Sequence, residues 1–127
     1  MTQLTVIRLV VLLTIIVLLD VVAFSTIFSD VKNVIARIQK KPFQINYYGA
    51  ILSYVLVSLG LLIFVQPHIK PANLIMDSVY FGGLFGLISY GIFDTTTIAI
   101  FQDYPITTAV QDTAWGGFVC MISIMVM

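Results

Sequence analysis

Three aspartates, Asp20, Asp94 and Asp112, lie inside strongly apolar sequence, where an ionised carboxylate is costly to place. On insertion scales one such charge costs at least about 2.5 kcal/mol at membrane depth. Around them stand groups that can donate hydrogen bonds: Tyr54, Tyr90, Trp115 and the run Thr95-Thr96-Thr97. Carboxylates set together without a basic partner are expected to share protons, and such a group can bind a proton, a cation or a small polar molecule. The same residues could instead form a polar network that only fixes helix packing. An all-aspartate site for Mg²⁺ or Ca²⁺ is chemically open, but spacing does not establish one and no metal ligands are assigned. No catalytic residues are assigned either. The chain has no serine–histidine or cysteine–histidine grouping, no HExxH and no phosphate-cradling glycine loop, and it calls for no cofactor.

Composition fixes the class. Of 127 residues 60% are hydrophobic and 9% charged, with zero net charge. Soluble domains carry about 25% charged residues. So few charges cannot cover a soluble surface, which makes the lipid bilayer the expected surrounding. No basic block points to nucleic acid. The single cysteine, Cys120, excludes an intrachain disulfide and sits in an apolar run where a packing role is expected.

The elements that must position the acids are all helical. The expected fold is an all-α, four-helix transmembrane bundle forming one domain over 1–127. Its spans are expected at about 4–24, 45–65, 74–101 and 106–127. The first could be misread as a signal peptide, with Arg8 as its basic end, but Asp20 fits that poorly and three further spans follow. The third is longer than a bilayer needs, so it should tilt or break near residues 94–97. Between the first two spans, 27–41 reads as an amphipathic interfacial helix. Ile27, Val31, Val34, Ile35 and Ile38 mark its apolar face, and Lys32, Arg37 and Lys40, with Lys41 beyond, its basic one. Pro42 should end it. The basic loop favours a cytoplasmic position for that side, with both termini opposite. His68, between Pro67 and Pro71, reads as a loop residue, and Asp77 should lie near the interface.

Counting from the side bearing the basic loop, Asp20 and Asp94 fall ~11 Å deep and Asp112 ~9 Å deep at 1.5 Å per helical residue. Tyr54 falls at ~14 Å. On the third span Gly82, Gly86, Tyr90 and Asp94 recur every four residues, and the Gly82-x-x-x-Gly86 pair lets another backbone approach closely. On the fourth, Asp112, Trp115 and Gly116 share a face. The expectation is one polar pocket, open toward the basic side, holding Asp20, Tyr54, Tyr90, Asp94, Thr97, Asp112 and Trp115, with Gly82, Gly86 and Gly116 in the packing seams.

The runs Gly82-Gly83-Leu84-Phe85-Gly86, Tyr90-Gly91-Ile92-Phe93-Asp94-Thr95-Thr96-Thr97, Tyr104-Pro105 and Asp112-Thr113-Ala114-Trp115-Gly116 resemble a family of small four-span membrane proteins. It is catalogued as domain of unknown function 2177, is widespread in bacteria and has relatives in large DNA viruses. Asp20 and Tyr54 match its pattern as well. Three positions depart from it: Phe93 replaces a tyrosine before the aspartate, Thr96 or Thr97 stands at an asparagine position, and Tyr104 replaces a tryptophan before the proline. The resemblance implies the membrane location and the fold and carries no activity. It leaves two expected settings, a bacterial inner membrane or a host or virion membrane. The expected partners are the lipid bilayer and either a second copy of the chain or membrane or capsid proteins.

Overall fold

The computed structural model describes residues 3–127, and among them every regular element is a helix. Five helices follow in order: α1 Gln3–Ser25, α2 Val31–Gln39, α3 Tyr47–His68, α4 Pro71–Ile100 and α5 Ile106–Val126. All but α2 are long and apolar enough to cross a membrane. In hydrocarbon each backbone N–H and C=O must be satisfied within the chain, and the helix does this locally.

Sequence punctuation sets the breaks. The strand-like backbone at Ile69 and Lys70 separates α3 from α4, and Pro67 and Pro71 flank it. The Lys70 amide donates to the Asp77 carboxylate at 3.0 Å, and the His68 ring stacks on Phe81 at 5.0 Å between centroids. Asp77 therefore braces the loop instead of standing free in water. At the other end, extended Phe101 and Pro105 bracket the short connection from α4 to α5. A residue before proline is driven out of the helical region, which keeps these two helices separate. The Asn46 side chain caps α3 by accepting from the Gly49 amide at 3.2 Å.

Two features differ from the sequence expectation. The interfacial helix is shorter: a turn covers 26–30, Ile27 is 73% exposed, and Lys40, in the left-handed conformation at φ 58°, stops α2 before Pro42 is reached. Its apolar residues Val31, Val34, Ile35 and Ile38 are half-buried against the bundle. Secondly, of the tilt or break expected of the long third span, the break does not occur: α4 runs unbroken through Asp94–Thr97. The threonines there bond within the helix, Thr95 Oγ1 to the Gly91 carbonyl and Thr97 Oγ1 to the Phe93 carbonyl, each at 2.7 Å. The helical irregularity of α4 lies instead at Ser78–Gly82, which is wound as a π-helix, and α3 has a matching π-wound stretch at Leu61–Val65.

Packing joins α4 to α5 most extensively, α5 to α1, and α1 to α3. α3 and α4 meet chiefly through their π-wound stretches, far from α2. The buried apolar core also lies toward that end: Leu12 and Ile16 of α1, Leu61, Leu62 and Val65 of α3, and Val119, Cys120 and Ile124 of α5. Toward α2, α1 stays packed on α3 and α4 on α5 while α3 and α4 stand apart, and the polar residues lie there.

Candidate functional site

On α1 the buried residues are Leu12, Ile16, Asp20 and Ala23, one stripe at spacings of four, four and three. Asp20 thus faces the bundle because it shares the stripe of the core leucine and isoleucine, and it is 5% exposed. Its Oδ1 accepts from the Trp115 indole N–H at 2.8 Å, and Tyr54 of α3 lines the same cavity. This carboxylate therefore ties α1 to α5. The Trp115 ring is held edge-on to Phe28, with centroids 5.7 Å apart.

The seam between α4 and α5 positions Asp94. A methyl group added at Gly86 would run into the Gly116 carbonyl, and one at Gly116 into the Tyr90 ring. The backbones approach this closely only because both residues lack a Cβ. One turn further along the same stripe, Asp94 meets the facing turn of α5. Its Oδ2 accepts at 2.8 Å from Oγ1 of Thr113, the residue that follows Asp112 on α5. Asp94 is 1% exposed, and its Oδ1 has no hydrogen-bond donor.

Asp20 and Asp112 line one cavity of about 310 Å³. Five aromatic rings share its wall: Phe24 from α1, Tyr54 from α3, Tyr90 and Phe93 from α4, and Trp115 from α5. Ser53 and Ser89 add two hydroxyls, and no lysine or arginine is among the lining residues. Exposed Ser53 and Phe93 mark the mouth, between α3 and α4 where these helices have diverged. A second chamber of about 460 Å³ adjoins the first and shares Phe24, Phe93 and Asp112 with it. The half-buried face of α2, through Val31, Ile35 and Ile38, covers this chamber. Tyr104, in the loop between α4 and α5, lines it too. Burial pushes the Tyr104 hydroxyl up to about 12, and the nearby Asp94 and Asp112 charges add to this, so it remains a hydrogen-bond donor at neutral pH.

The residues expected in a single pocket thus separate into three places. Asp20, Tyr54, Tyr90, Asp112 and Trp115 line the first chamber. Thr97 lines the second and gives its hydroxyl to its own helix. Asp94 lies in the α4–α5 seam, where with Thr113 it lines a separate groove of about 310 Å³. The reason is the glycine stripe: Gly82, Gly86 and Tyr90 all face α5, and Asp94, four residues on, must face it as well. Gly82, Gly86 and Gly116 are buried in that seam, and Lys32, Arg37, Lys40 and Lys41 are exposed. Sequence reasoning missed Thr113, although a buried carboxylate facing residue 112 requires a donor and the neighbouring threonine is one. It also missed Phe24, Ser53 and Ser89, which no motif marks, and Phe93, which the family pattern marks only as a departure. Among the described residues no group of three histidine, cysteine, aspartate or glutamate side chains is arranged to hold a metal ion.

The family described as Predicted membrane protein (DUF2177) matches residues 3–127. No curated protein and no solved structure matches the chain. The chain belongs to that family of predicted membrane proteins.

Proposed function

We propose that this family member binds a positively charged or proton-carrying species at Asp20 and Asp112, and passes it between the bundle interior and the membrane face bearing α2. The observation that carries the reading is two carboxylates from two helices on one cavity wall that includes no basic side chain. A cavity bounded this way in a low-dielectric surrounding favours positive charge.

The test is proton or cation flux into liposomes carrying the purified protein, with Asp112→Asn beside the wild type. Loss of flux with unchanged folding supports the reading. Unchanged flux in Asp112→Asn and in Asp20→Asn refutes it.

A second reading is favoured by Asp94 alone. Its burial and its bond to Thr113 suit a packing network, as a structural or assembly component of a bacterial or virion membrane would need, with a second copy or other membrane or capsid proteins as partners. Under that reading, substitution of Asp20 or Asp112 lowers stability and changes no flux.

A further inference from the structure

We infer that the species held between Asp20 and Asp112 is a small organic ammonium ion; the inference rests on the cation-pocket reading above. Three classes of cation could satisfy two carboxylates, and the cavity separates them. A metal ion needs several oxygen ligands converging on one point, and among the described residues no three acidic, histidine or cysteine side chains do so. A proton alone needs no cavity, whereas about 310 Å³ stands open beside these carboxylates. Pockets for small organic ligands begin at roughly 300 Å³. The wall supplies the rest: Phe24, Tyr54, Tyr90, Phe93 and Trp115 accompany the two acids. Aromatic rings attract cations through the negative charge of their faces, and aromatic cages are the usual receptors for alkylated ammonium groups, whose methyl and methylene groups a carboxylate alone cannot desolvate well. The adjoining chamber under α2 shares Phe24, Phe93 and Asp112 with this one and has Lys32 on its wall, so the two chambers differ in charge and only the inner one is lined by acids without a basic side chain.

Trp115 is the chain's single tryptophan and donates to Asp20, so its fluorescence reports on the site directly. The protein in dodecyl maltoside, an uncharged detergent, is titrated with tetramethylammonium, with sodium, with acid, and with tert-butanol as a neutral molecule of similar shape. The expected result is a saturable change with tetramethylammonium and none with tert-butanol. Asp112→Asn should weaken this binding at least about tenfold. Phe93→Leu alters only an exposed ring at the mouth and so tests the aromatic contribution in a protein that folds. It should weaken tetramethylammonium binding several-fold and leave the response to acid unchanged. A response to sodium or acid without one to tetramethylammonium overturns the organic ammonium and leaves the carboxylate pocket standing. Equal responses to tetramethylammonium and tert-butanol, or none to any probe, overturn both.

Discussion

The end of the bundle holding Leu61, Val119 and Ile124 is closed by helices in direct contact, whereas the end holding Asp20 and Asp112 is splayed around two chambers. The closed end uses small residues and apolar side chains, and α3 and α4 reach each other there through π-wound turns. In lipid, apolar side chains gain little by leaving one apolar surrounding for another, so close van der Waals packing must hold the helices. At the open end α1 still packs on α3 and α4 on α5, and polar ties are added: Trp115 to Asp20, and Thr113 to Asp94. Rigidity at one end thus lets the other keep carboxylates beside open space. Asp94 stands on the border, chemically part of the polar group and sterically part of the seam.

The largest effect should come from the seam. Gly86→Ala drives a methyl group against the Gly116 carbonyl, a backbone atom that cannot turn aside. We expect a loss of about 3 kcal/mol, the upper end for overpacking, read as a lowered unfolding midpoint in detergent by circular dichroism. If Gly86→Ala unfolds like the wild type, the closed end is not closed by backbone contact.

Thr113→Val and Trp115→Phe then compare the two polar ties. Thr113→Val strips the donor from a carboxylate that is 1% exposed. It should cost about 2 kcal/mol. Trp115→Phe strips a donor from Asp20, but that carboxylate borders the cavity, where Tyr54 and water remain available. About 1 kcal/mol is expected in the same measurement. Equal costs would erase the distinction between a seam acid and a cavity acid.

The smallest effect has the opposite sign. A methyl group at Gly83 would meet no other atom within 4 Å. Gly83→Ala should raise stability by up to about 1 kcal/mol through helix propensity. Three residues from Gly86 on the same helix, it measures how local the close contact is.

Much of this was legible in the chain. Length and hydropathy of each run mark the spans, because a helix must be about 20 apolar residues long to cross hydrocarbon. The prolines and the charge pattern mark the loops and α2. The four-residue recurrence of Gly82, Gly86, Tyr90 and Asp94 marks a shared face, since helical geometry alone puts them there. What that face meets was not legible. Asp94 turns toward Thr113, and Thr97 toward its own helix, because of contacts made by α5 and by the helix backbone. The π-wound stretches, the left-handed Lys40 and the exposed Ile27 left no sign in the pattern of polar and apolar residues either.

The sequence by itself determined that this is a helical membrane protein with three acids inside its spans, because hydrocarbon thickness and backbone hydrogen bonding leave few alternatives. Only the tertiary structure decided which acids line the aromatic chamber. The glycine stripe turns Asp94 toward α5, whereas Asp20 and Asp112 meet the chamber because of how closely α4 and α5 pack and how far α3 stands from α4.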